Sequence, residues 1–360
     1  MPDRAATERN GETGFWRLVT RPETASLAVA TPELLRRFGD LLSPAFAREA
    51  LCVAEARAGR PLLAPEAAEK SLLYNRFLRH NQLRWVREIG QAGFDVVYLK
   101  GFAAAHTLYE NPDARTVGDL DLLIREADLD RLIRFLAGRG FRFGGGARSP
   151  WGFISKTSFL PFVSADGSAN LDLHIAPDAY PATLALSTEA LFAESQKIEA
   201  AGLVLRVPSA EHGFFLLLTN AAKVAFGPLS VRKTVDAICL LRRVKTLDWD
   251  RLGRLAAKGR LAKPLRAYLA LLRHLGAETA GVPDALMAPF RGLAAAELGR
   301  LLHRYDTLFA KAPGRFETLR TELLLGGELR VGLYRNWLRL RGLVRPYGGR
   351  PPEKGIGFWR

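Results

Sequence analysis

The chain has 360 residues, 48% of them hydrophobic, enough to bury a core and fill two domains, so global disorder is excluded. With 52 Lys and Arg against 37 Asp and Glu the net charge is +15, which suits an anionic partner: a nucleic acid, a charged small substrate or a membrane surface. The basic residues scatter along the whole chain, no RRM, KH or zinc-finger pattern is visible, and no apolar run reaches the roughly 18 residues of a membrane span.

Residues 1–30 read as irregular, and the first twenty lack the apolar stretch of a signal peptide, so a soluble, cytoplasmic protein is expected. Thr31, Pro32 and Glu33 then predict a helix start: an N-cap hydroxyl, a proline at the first helical position and an acid in the first turn. A longer helix is expected over about 65–90, where Leu72, Leu73, Phe77, Leu83, Val86 and Ile89 recur near helical period. A strand over 95–99, a helix opening at Gly101, a strand over 117–124 and a helix over 127–137 follow. Segments 156–163 and 169–175 alternate as strands around the turn 164–168, a hairpin signature. From Ser209 onward the pattern is helical, with one stripe on Leu265, Tyr268, Leu269, Leu272 and Leu275 and another on Trp249, Leu252 and Leu255. The end, from about Gly342, is rich in Gly, Pro and Arg and is expected to be loosely ordered. Cys52 and Cys239 lie far apart in helical contexts, fitting neither a zinc site nor a disulfide framework, and are expected to be buried, reduced thiols. This order of elements predicts a mixed α/β core between helical flanks.

Asp119 and Asp121 are the most informative pair. Two apart in a strand, they share one face while Leu120, Leu122 and Ile124 turn to the other. Like charges so placed repel, and a hard cation removes the penalty; the alternative is an edge strand with two solvated acids. Asp172 keeps the same alternation with Asn170 and His174, so a third acid on a second strand is available to complete a metal site or to act as a base. His174 falls near the substrate or at the rim of the sheet. Lys100 and Gly101 stand between a strand and a helix, where free backbone N–H groups and the helix dipole favour phosphate. Arg115 either pairs with a triphosphate or with Glu110 or Asp113. Lys223 and Lys233 either face the cleft or lie on a solvated surface, and Arg232 and Asp236 are spaced to pair across one helical turn. Residues 328–342 mix leucines, Tyr334 and Trp337 with arginines, which suits either a last helix packed on the domain or a contact with an anionic membrane.

Leu99-Lys100-Gly101, Tyr109, Arg115, Gly118 to Leu123 and Asp172-Leu173-His174 resemble the motifs of the uncharacterised bacterial nucleotidyltransferase family, within the DNA polymerase β-like superfamily. Residues 229–238 and 247–249 look like its helical half, and the resemblance covers roughly 45–290. It implies an α+β fold: a nucleotidyltransferase-like mixed sheet core over 93–207, N-terminal helices over 31–92, a helical domain over 208–310 and a basic segment over 311–360. It implies transfer of a nucleoside monophosphate from an NTP to an acceptor, with Asp119, Asp121 and Asp172 as catalytic metal ligands for Mg²⁺ or Mn²⁺. Lys100, Gly101 and Arg115 would then bind the nucleotide, and His174, Lys223 and Lys233 would line the substrate side. A small molecule, peptide or sugar phosphate is the favoured acceptor over RNA, with membrane contact through the basic C-terminal segment as a further partner. A catalytically inactive nucleotide-binding protein, or a basic RNA or membrane-surface adaptor on the same fold, is the rival. In this sequence Phe102 stands where the superfamily usually has Gly or Ser, and the stretch from Gly101 to Asp119 is longer than in its simplest members.

Overall fold

A computed structural model describes residues 14–143 and 161–344. Five strands form one mixed sheet: β1 (Val96–Tyr98), β2 (Leu120–Ile124), β3 (Arg142–Phe143), β4 (Phe162–Val163) and β5 (Asn170–His174), in the order β1-β2-β5-β4-β3. β2 runs antiparallel to β1 and parallel to β5, while β4 is antiparallel to both β5 and β3. The hairpin expected around 164–168 is present, with Gly167 at φ 68° in the turn; residues 156–160 of its first arm lie outside the described residues. A second hairpin, β6 (Gln196–Ala200) and β7 (Leu203–Val207), turns through Ala201 and Gly202, both with positive φ.

The helices that frame the sheet are α1 (Pro32–Leu42), α2 (Pro44–Ala50), α3 (Pro65–Gln91), α4 (Lys100–Leu108) and α5 (Glu126–Ala137). After the second hairpin come α6 (Ala210–Lys223), α7 (Val231–Arg243), α8 (Trp249–Lys258), α9 (Ala262–His274), α10 (Gly292–Asp306) and α11 (Leu329–Val344). Thr31 caps α1 by accepting from the Leu34 amide, as its sequence requires. No helix among the described residues is long and apolar enough to cross a membrane.

Two apolar cores lie on opposite faces of the sheet. Val96, Tyr98, Leu120, Leu122, Ile124, Leu171 and Leu173 pack with α5 and the end of α3. Val97, Leu99 and Leu123 turn the other way, into a core shared with Phe38 and Phe46 of the N-terminal helices and with Phe214, Phe215, Tyr268 and Tyr305 of the helical half. Phe15 and Trp16, in the segment expected to be irregular, are fully buried in this second core, and the Trp16 indole donates to the Tyr305 carbonyl at 2.8 Å.

Three expectations change. In the first half of α3 the apolar residues point outward: Leu73 and Phe77 are 63% and 57% exposed. The buried face there is polar because it meets loop backbone. Asn75 donates to the Ala114 carbonyl, Gln82 to Val117 at 2.9 Å, and Arg79 to Asp113 at 2.9 Å. Cys52 is exposed, since it opens the short helix Cys52–Ala58 on its outer side; only Cys239 is half-buried, and both are free thiols. The chain near Gly342 is still helical, in α11, up to Val344.

Candidate functional site

Strand parity places the chemistry. Leu120, Leu122 and Ile124 fill one core, so Asp121 projects from the opposite face of β2, beside Leu123. The parallel register sets Asp121 against Asp172 and Leu123 against His174. Asp121, Asp172 and His174 therefore share the sheet face turned toward the helical half. Their ligating atoms all lie within 4.8 Å of one another. His174 Nε2 is 2.9 Å from Asp121 Oδ1 and 3.0 Å from Asp172 Oδ2.

A cation already sits among them. Lys100 hydrogen-bonds Asp121 through its ammonium, which is 3.6 Å from Asp172 Oδ2 and 3.2 Å from His174 Nε2. Lys100 has φ 50°, a left-handed conformation uncommon outside glycine, at the step from extended Leu99 into α4. The Leu99 amide donates to the Asp121 carbonyl at 3.0 Å, which ties this step to the acid strand.

The electrostatics follow from these contacts. Burial opposes the charge on Asp121, but Lys100 and the hydrogen bond from His174 outweigh it and hold the carboxyl well below its usual range. Burial likewise opposes the Lys100 ammonium, and Asp121 and Asp172 raise its pKa in spite of that. For His174, burial and the Lys100 charge are overcome by hydrogen bonds to both carboxylates, so its pKa is raised and its Nε2–H donates to them. His174 Nδ1 is buried without a hydrogen-bond partner.

Asp119 does not join this cluster. It precedes β2 and is exposed, and the negative charge of Asp121 pushes its carboxyl up to about 6. Gly101 lies in the first turn of α4, where an added Cβ would stand 3.7 Å from the Val117 methyls; a small side chain fits, so sterics alone do not demand the glycine.

Arg115 pairs with neither Glu110 nor Asp113. It is buried, with Nε and Nη2 donating to the two oxygens of Asp236 at 2.9 and 2.8 Å, and its third nitrogen donating to the Thr116 carbonyl. Tyr109 donates to the same Asp236 at 2.7 Å. Asp236 thus serves residues far away in sequence, and Arg232, four residues before it, donates instead to the Leu41 carbonyl. Lys223 is tied to buried Asp178 at 2.5 Å, with Thr219 on the other oxygen. Burial resists the charge on Asp178, but Lys223 wins and holds its carboxyl down to about 2. Asp178 was not singled out from the sequence, where its one signal is an acid following the apolar end of β5. Lys233 borders a cavity that also reaches Lys100 and Gly101.

The donor set fits a divalent ion. Two carboxylate oxygens suit Mg²⁺ or Mn²⁺, and the imidazole nitrogen is a better partner for Mn²⁺ than for Mg²⁺. Asp121, Asp172 and His174 would hold such an ion.

A family model described as uncharacterised nucleotidyltransferase matches residues 64–277. That span takes in the Lys100–Gly101 step, both acid strands and the Arg115–Asp236 pair. No curated protein matches the chain.

Proposed function

The chain belongs to the uncharacterised nucleotidyltransferase family, and we propose that it moves a nucleoside monophosphate from an NTP to an acceptor hydroxyl or phosphate, releasing pyrophosphate. The observation that carries this reading is the convergence of Asp121, Asp172 and His174 on one sheet face, beside the N-terminus of α4. In the reaction the acceptor oxygen bonds to the α-phosphorus, and the bond from that phosphorus to the β-phosphate bridging oxygen breaks.

Asp121 and Asp172 would hold Mg²⁺ or Mn²⁺, with His174 as a third donor, and Asp119 stands to join once positive charge relieves its repulsion from Asp121. When bound, the ion neutralises the triphosphate and the charge that develops on its leaving group. Asp172, less enclosed than Asp121, takes the proton of the acceptor. Lys100 and the first amides of α4, from Gly101 on, receive phosphate oxygens. Arg115, held by Asp236, shapes the cleft wall through that pair. Lys233 lies on the acceptor side, and Lys223, through Asp178, supports the end of β5. A small molecule, peptide or sugar phosphate is the favoured acceptor.

Incubation with each labelled NTP and Mg²⁺ or Mn²⁺, in an extract that supplies acceptors, tests the reading. A labelled product with released pyrophosphate supports it, provided that Asp121→Asn abolishes both. Phe102 gives the inactive alternative its one specific support: the side chain at this position is a fully buried ring against Tyr98 and His106, with no hydroxyl to offer a phosphate. NTP retained without pyrophosphate in any extract would favour that alternative. Peripheral membrane contact rests on the exposed Leu333, Tyr334 and Trp337 of α11, and binding to anionic vesicles tests it.

A further inference from the structure

α4, α6 and α7 line a cavity of about 330 Å³. Its walls are largely aliphatic: Ala103, Ala104 and Leu108 from α4, Leu216 and Leu217 from α6, Leu240 from α7. A few polar groups interrupt them, notably Thr107, Ser209 and Asn220. Lys100 and Gly101 line it as well, and Lys100, which hydrogen-bonds Asp121, ties it to the acid site.

Its charge is unbalanced. Lys100, Arg115, Lys233 and Arg243 border it against a single carboxylate, Asp236. Asp236 is saturated by Arg115 and Tyr109, and Lys100 is spent on Asp121. Lys233 and Arg243 remain, and among the described residues neither enters an ion pair. The Lys233 ammonium donates to the Leu229 carbonyl at 2.7 Å. Burial, aided by the charge of Arg115, lowers the Lys233 pKa to about 8, so its charge lacks compensation where it stands.

We infer that this cavity is the acceptor site and that the acceptor is a small organic anion, its apolar body against Leu216, Leu217 and Leu240 and its anionic group on Lys233. The other end of such a molecule then lies toward Lys100 and Gly101, where the transfer takes place. The inference rests on the transferase reading. The size falls near the lower end of small-molecule sites, about 300–1,000 Å³. A triphosphate fits the chemistry poorly. Three phosphates would lose water against aliphatic walls that return only two free cations.

Calorimetric titration of the full chain with octanoate, uncharged octanol and the ATP analogue AMPCPP with Mn²⁺ tests it. Octanoate should bind, and octanol should bind at least about tenfold more weakly. Lys233→Met should cost octanoate about tenfold, and Ala104→Leu, which fills the cavity, should remove it, while both variants keep AMPCPP affinity within threefold. Arg243→Met, at an exposed position, should weaken octanoate by a smaller factor and guards against loss of fold in the lysine variant. Equal binding of octanoate and octanol, no binding of octanoate, or a Lys233→Met defect confined to AMPCPP overturns the inference. Octanoate binding with no AMPCPP binding would sink the transferase reading and leave an anion site standing.

Discussion

At the scale of single residues, Asp236 decides whether Arg115 is a ligand-binding group or a structural one. Both partners are buried and both carboxylate oxygens are used, so removing one leaves an uncompensated charge. Asp236→Asn is expected to cost about 3–5 kcal/mol in urea unfolding, the range for breaking a buried pair. A loss of under about 1 kcal/mol would mean that the pair is solvated like a surface one. The acids of the candidate site predict something different. Asp121 compensates the Lys100 ammonium, so Asp121→Asn should lose stability as well as function. Asp172 is less enclosed and 3.6 Å from that ammonium, so Asp172→Asn should lose function at a smaller cost in stability. With AMPCPP and Mn²⁺ the native chain should gain melting temperature, by about 2.7 kcal/mol of stabilisation when the ligand is at a hundred times its Kd. Asp121→Asn should abolish that gain. If Asp172 acts as base, Asp172→Asn should keep nucleotide binding and lose about 10²-fold or more in turnover. An Asp172→Asn enzyme with full turnover would rule out its role as a base.

At the scale of elements, α3 and α4 meet through polar side chains. Arg79 Nη1 is 3.1 Å from His106 Nε2, and Arg79 also binds Asp113. Burial first, then the Arg79 charge, lowers the His106 pKa to about 4 from an ordinary 6.5. Between those values the unfolded chain carries the extra proton and the folded chain does not. Stability should therefore fall as pH drops from 6.5 toward 4, and His106→Gln should flatten that part of the melting-temperature profile. An identical slope in the variant would assign the effect to other groups. The same interface explains why the apolar pattern misplaced the inner face of α3. Counting hydrophobic residues chose Leu73 and Phe77, yet the α3 neighbours at that level are carbonyls of the 112–117 segment, which only Asn75, Arg79 and Gln82 can satisfy. The hairpin of β6 and β7 went unread although its signals were present: alternation over 203–207 and an Ala-Gly turn.

At the scale of the molecule, the sheet is shared between two cores. Val97, Leu99 and Leu123 bury themselves with the helical half while their neighbours face α5. The two halves should therefore unfold together, and Leu123→Ala should lower the whole transition by about 2–5 kcal/mol. Far-UV circular dichroism and tryptophan fluorescence, with Trp85 reporting the first core and Trp16 and Trp249 the second, should give one coincident melt. Separate transitions would show that the sheet and the helical half are independent.

The sequence by itself determined the strand parity of Asp121, Asp172 and His174, the helix that opens at Lys100 and Gly101, and the helices that carry the described residues after Ser209. These are local properties: alternation at period two, a cap, a stripe at period 3.6. Only the tertiary structure decided which of the acids meet. The parallel register sets Asp121 opposite Asp172 and brings His174 to the same carboxylates, while Asp119, one step beyond the paired strand, stays outside. It also decided that Arg115 faces Asp236 across 121 residues of sequence, and that α4, α6 and α7 leave a basic-lined cavity beside the acids. Those facts depend on which elements pack together, and no periodicity within one element carries that information.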